Sequence, residues 1–305
     1  MVMHVMKAKA VDRCIASLAL ALISLVVPFS CIGSALAETT ECHRKLESAK
    51  KYLGQRELEL ARAEYRAALI SEDGTKTCRY KAFDKLETFC LYRRFDKSRA
   101  ETMQCLERLY EDARAANMLD LRMAGPASEL SNWYWSQHRY KEAEWWLKEA
   151  IRLEALHGFM SMVYQKKLAL GGMYMSQERW NDALTMFSEI VAAYGGECAL
   201  QERNICLQAQ LQRSQALGKL GQYQQAFEIS EQLIRHLENE NGAAAADSAS
   251  NEKLLVESYL VDALDLYSGL LEKRGDHAKA AKASQRADEV RQTWRQFYDE
   301  RQLNE

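Results

Sequence analysis

Residues 170–193, LGGMYMSQERWNDALTMFSEIVAA, decide the fold of this chain because they contain two apolar helical faces separated by a short polar turn. Leu170, Gly171 and Tyr174 share one face of the first predicted helix, and Ala183 and Phe187 share one face of the second. The small residues stand where two helices must approach closely. The stretch is therefore predicted to form an αα-hairpin.

Variants of this hairpin recur along the chain, each with an alanine at the expected helix contact. The intervals between these alanines are 39, 43, 40, 43 and 54 residues, and the last falls to about 42 when an insert of about 12 residues is discounted. Such a period is typical of repeat proteins, in which each unit packs only on its neighbours. The alanines are Ala61, Ala100, Ala143, Ala183, Ala226 and Ala280.

The composition agrees with an all-α array of about six helix pairs. The chain has 305 residues and only two prolines, 48% of its residues are hydrophobic and 28% are charged, so long helices and a sizeable core are both allowed. Beyond residue 37 there are 38 basic and 42 acidic side chains, a net charge of −4. No basic stripe appears, so we expect no nucleic-acid partner and no charge-driven membrane binding.

Residues 1–37 are predicted to be a secretory signal peptide. A basic start precedes an apolar run at residues 15–27, and Ala35-Leu36-Ala37 offers a cleavage site. We therefore expect cleavage after Ala37 and a secreted or periplasmic protein that starts at Glu38. The alternative is an envelope-assembly component that this segment tethers to the membrane, because no charged residue occurs from 15 to 37. A membrane partner is expected only in that alternative.

Six cysteines follow the predicted cleavage site, and an even number in an exported chain permits three disulfides with fifteen connectivities. The first pair to consider is Cys198–Cys206. It requires Cys198 to lie in a folded-back loop, because two turns of helix separate Cα atoms by about 12 Å. Free buried cysteines are the alternative. The six are Cys42, Cys78, Cys90, Cys105, Cys198 and Cys206.

Two segments of the mature region, residues 38–305, depart from the repeat. Residues 239–251, NENGAAAADSASN, have low complexity and are predicted to form an exposed loop. The second helix of the sixth unit continues through Val290, Trp294 and Phe297, which share one face. We expect residues 276–303 to form a C-terminal capping helix over the last repeat.

The units resemble the tetratricopeptide repeat (TPR) family, in the longer-helix form of kinesin light chains. The resemblance rests on a small residue and an aromatic on the first helix, Gly171 and Tyr174, followed by Trp180, Ala183 and Phe187 on the second. It implies a right-handed α-solenoid whose concave surface binds a protein or peptide. The inward basic and asparagine residues of members that bind chaperone tails are missing, so capture of a peptide carboxylate is not expected.

No pattern of catalytic, cofactor-binding or metal-binding residues occurs in the sequence. The six histidines are widely spread, no H-E-x-x-H motif exists, no C-x-x-C motif suggests zinc, and no glycine-rich phosphate loop is present. We therefore expect no enzyme activity and no cofactor.

An aromatic concentration between residues 133 and 146 indicates where a partner would bind. Trp135 is predicted to face the concave surface together with Asn132 and Met175, and Leu168 and Gly172 face the same groove. In the alternative, the tryptophans fill gaps between long helices. The predicted function is an exported interaction scaffold for an unidentified protein or peptide. A helical small-ligand-binding protein is the other alternative, and it would need a polar pocket with convergent titratable groups.

Overall fold

The computed structural model describes residues 40–72, 74–92, 98–195, 203–244 and 251–302. Within these ranges the chain is built of twelve α-helices and a short 3-10 turn, with no strand. It divides into a first compact unit that ends at Leu86 and a second that begins at Glu87. No helix in the described ranges is long and apolar enough to cross a membrane.

The helices follow one another in pairs. In the first unit α1 packs on α2, and in the second unit α5 packs on α6, α7 on α8, α9 on α10, and α11 on α12. The first helices α7, α9 and α11 also contact one another in turn. The bounds are α1 Glu41–Gly54, α2 Leu58–Ile70, α3 Lys76–Tyr92, α4 Arg99–Ala115, the 3-10 turn Leu121–Met123, α5 Ala124–Ser136, α6 Tyr140–Leu156, α7 Met160–Ser176, α8 Trp180–Ala193, α9 Arg203–Lys219, α10 Tyr223–Ala244, α11 Asn251–Arg274 and α12 His277–Gln302.

The same turn closes five of the pairs. One residue adopts a left-handed conformation with φ between 59° and 84°, and the next N–H bonds back to the first helix. In the pair α7–α8, for example, the Arg179 N–H donates to the Tyr174 carbonyl at 2.9 Å. This turn fixes the register of each pair. The left-handed residues are Arg56, His138, Glu178, Gly221 and Gly275.

Five of the pairs bury a small residue of the first helix and, twelve positions later, an alanine of the second. Where the first residue is serine, its hydroxyl donates to the carbonyl of that alanine, which satisfies the hydroxyl in the dry contact. The Oγ–O distances are 2.8 Å for Ser131 and Ala143, 2.9 Å for Ser214 and Ala226, and 3.0 Å for Ser268 and Ala280.

The size of the small residue matches the side chain that faces it sixteen positions later. Ser214 faces Ser230, with the two hydroxyl oxygens 2.7 Å apart. Gly171 instead faces the buried ring of Phe187, and a methyl group at Gly171 would lie 2.3 Å from Cε1 of that ring. Glycine is therefore required at residue 171 by close packing, as the sequence predicts.

The assignment of Ala100 to the helix contact of the second repeat is wrong. Ala100 is exposed, and the buried residue at that register is Thr102, twelve positions after the buried Cys90. Ala100 is exposed because a capping box between Ser98 and Glu101 makes α4 begin at Arg99. Ala100 thus lies in the first turn. When Thr102 replaces Ala100 as the contact residue of the second repeat, the intervals from Ala61 to Thr102 and from Thr102 to Ala143 are both 41 residues.

Two disulfides join helices within the units. Cys42–Cys78 connects α1 to α3 in the first unit, and Cys90–Cys105 connects α3 to α4 in the second. The alternative of free cysteines is therefore wrong for these four. Cys206 is also disulfide-bonded. Cys198 lies outside the described residues, so the pairing of Cys198 with Cys206 stays a prediction.

The predicted loop at residues 239–251 is corrected at both ends. α10 continues to Ala244, because alanine-rich sequence favours continued helix, and α11 begins at Asn251. Residues 245–250 lie outside the described ranges. α12 spans the predicted cap, but the side chains of Trp294 and Phe297 also lie outside the description, and the capping role stays a prediction. The predicted signal peptide, residues 1–37, lies outside it as well.

Two adjacent glycines of α7 provide a matched test of this packing. We expect Gly171→Ala to destabilise the fold by about 1–3 kcal/mol, because the added methyl group overpacks against Phe187. Gly172→Ala should instead stabilise it by about 0.5–1 kcal/mol, because a methyl group there meets nothing within 4 Å and alanine favours helix. Urea unfolding measures both, and a similar effect of the two substitutions would contradict the proposed contact.

Candidate functional site

An open cavity of about 690 Å³ lies in the second unit, where the first helices α3, α5 and α7 meet residues of α4 and α6. Clefts of roughly 300–1,000 Å³ are typical of ligand sites in proteins. Much of its wall is apolar and includes two flexible methionines. The apolar side chains are Leu91, Met103, Leu121, Ala124 and Met162.

Charged side chains of both signs also line the cavity, three acidic and three basic, so the lining has no net charge. Arg122 is paired outside the lining, since its Nη1 lies 3.1 Å from Oδ1 of Asp120. The six charged residues are Glu87, Glu129, Glu154, Arg99, Arg122 and Lys166.

Glu154 and Lys166 form a mostly buried ion pair in the wall. Glu154, on α6, is only 2% exposed, and its Oε1 accepts from Nζ of Lys166 on α7 at 2.5 Å. The second carboxylate oxygen, Oε2, is buried with no hydrogen-bond partner. Burying a carboxylate is costly unless both oxygens are satisfied. The pair therefore leaves one strong acceptor unused.

Thr102 adds a second unused polar atom to the same wall. It is 1% exposed, and its Oγ1 has no hydrogen-bond partner. A buried polar atom without a partner costs about 1–3 kcal/mol. The hydroxyl is not needed by the helix contact, because the corresponding residues of the other repeats are alanines such as Ala143 and Ala183.

The repeat register shows that Glu154 and Lys166 also replace buried apolar residues. Glu154 lies eleven positions after the contact residue of its repeat, where two other repeats have the fully buried Ala113 and Leu237. Lys166 lies five positions before Gly171, where the later repeats have fully buried alanines at 209 and 263. The repeat register in the sequence singles out Thr102, because the other five repeats have alanine there. It does not single out Glu154 or Lys166, because some repeats have charged residues at those two registers.

The predicted partner-binding residues do not line the cavity, although they lie on two of its helices. Asn132 is exposed on α5 three residues beyond Glu129, and Leu168 lies on α7 three residues beyond Gln165. Gly172 is partly exposed with open space beside it. The stripe they form begins at the cavity wall and runs toward the C-terminal ends of α5 and α7.

The last two members of that stripe are half-buried. The ring of Trp135 lies 4.7 Å from that of Tyr140, centroid to centroid, and Met175 packs against the core formed by α7 and α8. Leu168 packs on the same core. Trp135 therefore fills part of a gap between helices and still exposes part of its indole.

Tyrosine–glutamate bonds join successive repeats beside the cavity. The hydroxyl of Tyr134 on α5 donates to Glu107 on α4 at 2.8 Å. Burial is the main cause that raises the pKa of Tyr134 to about 12, and the hydrogen bond to Glu107 raises it further. Tyr174 on α7 donates to Glu144 on α6, also at 2.8 Å. These bonds hold first helices α5 and α7, which carry much of the cavity wall, against the preceding repeat.

The Glu144 carboxylate accepts hydrogen bonds from three donors at the junction between the third and fourth repeats. Burial acts to raise its pKa, but hydrogen bonds from Arg179, Lys148 and Tyr174 outweigh burial and lower the pKa of Glu144 to about 2. The carboxylate therefore remains charged in the folded protein at neutral pH, and it links α6 to α7 and to the turn that precedes α8. In the residues that the structure describes, no group of three or more His, Cys, Asp or Glu side chains could hold a metal ion.

The low pKa of Glu144 predicts an acid-dependent part of the stability. Since the carboxylate has a lower pKa folded than unfolded, its contribution is complete above about pH 5 and is lost as pH falls toward 2. We expect Glu144→Gln to lower the free energy of unfolding at pH 7 by up to about 3 kcal/mol and to have little effect near pH 2. Urea unfolding across this range measures the difference. Glu189→Gln, at an exposed ion pair, is the control, and equal pH dependence of the two variants would contradict the assignment.

Comparisons with known proteins support the fold. No model of a known protein family matches the sequence, and no curated protein sequence matches it. The chain is similar to a solved structure of a candidate kinesin light chain from Podosopora anserina, a single-residue variant with nearly identical TPR-like repeats. The TM-score is 0.51 and the sequence identity is 15%, and the match covers 70% of this chain and 96% of that one. BtubC (BKLC) from P. vanneervenii has a TM-score of 0.50 and 14% identity, over 84% and 93%. The all-α, TPR-like solenoid fold is thereby confirmed.

Proposed function

We propose that this chain is an interaction scaffold that holds a segment of another protein along the face formed by α5 and α7. The observation that carries the proposal is the cavity of about 690 Å³ on the first helices of three successive repeats. A surface assembled by several repeats offers an extended binding site without any single deep pocket. The partner is a protein or peptide, and nucleic acid is not expected because the cavity lining has no net charge.

The stripe that continues from the cavity gives the bound segment a path. Asn132 supplies an exposed amide, Gly172 leaves room for close approach, and Leu168 and Met175 provide apolar contact. At its far end the half-buried Trp135 presents part of its indole, and tryptophan is enriched among residues that dominate binding energy. A segment of several residues spans from the cavity to this tryptophan.

Catalysis is not part of the proposal. The cavity wall has no histidine or cysteine, and its most buried acid, Glu154, is held by Lys166. A nucleophile next to an oriented base, which acyl and glycosyl transfer require, is therefore not supplied by these lining residues. A small-ligand-binding protein is the second candidate, because the cavity volume suits a small molecule. A small molecule that remains bound in native mass spectrometry would favour it.

Export is a further part of the proposal. Disulfides persist in oxidising compartments, and the cystines Cys42–Cys78 and Cys90–Cys105 support such a location. The basic start, apolar run and Ala35-Leu36-Ala37 site of the N-terminal segment support cleavage by signal peptidase. The alternative is an envelope component tethered by that uncleaved segment.

Substitution of Trp135 tests the binding stripe. We expect Trp135→Ala to reduce partner recovery at least tenfold in a quantitative pull-down from the producing cells, because the exposed part of the indole anchors the segment. The melting temperature should change little. Trp145→Ala removes an indole that is 47% exposed on the second helix α6, and it should leave recovery unchanged. Equal partner recovery with the wild type and with a Trp135→Ala/Met175→Ala variant would exclude the stripe as the partner-binding surface. An unfolded Trp135→Ala protein would show that Trp135 belongs to the core.

Chemical analysis of the protein from its native source tests export. We expect Glu38 as the first residue and no reaction of the cysteines at 42, 78, 90 and 105 with an alkylating reagent before reduction. Intact mass and peptide mapping measure both. A retained N-terminal segment would support the tethered alternative, and reactive thiols at these positions would contradict an oxidising compartment.

A further inference from the structure

We propose that Thr102, Glu154 and Lys166 form a recognition centre for an uncharged peptide group, so that the cavity takes an internal apolar stretch of the partner and not its charged end. This inference rests on the proposed function, since it names the chemistry of the segment that the scaffold holds. It assigns the cavity wall a role that its apolar lining alone does not explain.

The first support is the convergence of three departures from the repeat. The second repeat has Thr102 where the other five have alanine. The third has Glu154 where two other repeats have the buried Ala113 and Leu237, and the fourth has Lys166 where the two later repeats have buried alanines. All three residues line the same cavity. The repeats that bury alanine or leucine at these positions fold without the polar groups, so a close helix contact there does not require them.

The second support is that these groups weaken the fold where they stand. Oγ1 of Thr102 and Oε2 of Glu154 are both buried without a hydrogen-bond partner. Replacing a buried ion pair by apolar side chains of similar size is often neutral or stabilising. Residues that break the rules of a fold without benefit to its stability are expected at functional sites.

The unused groups complement a peptide group. The Lys166 ammonium has three N–H donors, of which one bonds to Oε1 of Glu154, and the Thr102 hydroxyl is a further donor. These donors suit a carbonyl oxygen, while Oε2 of Glu154 suits an N–H. The cavity wall therefore offers both donors and an acceptor, which suits the uncharged N–H and C=O groups of a peptide backbone.

Charge and wall chemistry exclude a preference for a charged end. The lining carries three acidic and three basic side chains, so charge favours neither a peptide carboxylate nor an amino terminus, and Glu154 already neutralises Lys166. The apolar side chains described above surround the centre, and methionines such as Met103 rotate readily to admit a ligand. An internal segment with apolar side chains on either side of the recognised amide fits this surface.

A peptide library tests the preferred ligand. The probe is a positional-scanning hexapeptide library, acetylated and amidated, with one position fixed as apolar, basic or acidic, and fluorescence anisotropy measures binding to the full chain. We expect pools with a fixed leucine, methionine or phenylalanine to bind at least tenfold more tightly than pools with a fixed lysine or glutamate. Free-ended copies should bind no better than capped ones. Binding that requires a free end would overturn the inference.

Cavity variants test the three residues with the best-binding capped pool. Thr102→Val should weaken binding about five- to tenfold, the effect of one lost hydrogen bond, while the melting temperature stays equal or rises. A purely structural threonine would instead show a lowered melting temperature. Glu154→Leu/Lys166→Met should weaken binding at least tenfold and still fold. The matched control is Glu189→Leu/Lys167→Met, which removes an ion pair of α7 and α8 that does not line the cavity.

The outcomes separate this inference from the proposed function. If the wild-type chain binds no pool, the scaffold function itself fails. If it binds and Trp135→Ala weakens binding, but the cavity variants bind as the wild type does, only the recognition centre is excluded. Loss of binding in the cavity variants, with the matched control unchanged, supports both.

Discussion

The close approach of two helices at one small residue of each determines the rest of this structure. The turn fixes the two contact residues twelve positions apart, as in Ser131 and Ala143, and the contact sets how near the helices lie. Close helix pairs then stack at an interval of about 40 residues. In the second unit α7 contacts α9 and α9 contacts α11, so successive first helices lie side by side.

A regular repeat also provides an internal standard for each position. Where several repeats bury an alanine or leucine, a buried polar residue at the same register of another repeat is not required for packing. Thr102, Glu154 and Lys166 are such residues, and they meet at one cavity although they belong to three repeats. The fold thus shows which polar groups it does not need, and these are the groups that a partner can use.

Much of the fold could be predicted from the sequence because the signals are local. The αα-hairpin, the requirement for glycine at 171 and most contact alanines follow from helical spacing and residue size. Residue type alone favours Ala100 at the helix contact, but Ser98 and Glu101 set the helix start through side-chain bonds and thereby place Thr102 there. The low complexity of residues 239–251 predicts a loop, but the alanines among them allow α10 to continue to Ala244.

The cavity could not be predicted from helical periodicity, because its wall combines side chains of five helices at long sequence separation. The disulfide pairing likewise depends on which helix ends come together.

Site-specific photo-crosslinking tests most directly whether the partner occupies this face. A benzophenone amino acid in place of Met162, which lines the cavity and is 46% exposed, can be compared with the same group in place of the exposed Glu189 on the second helix α8. The account predicts that irradiation of producing cells gives a discrete protein adduct at position 162 and none at 189. Adducts at 189 alone, or equally at both positions, would contradict it.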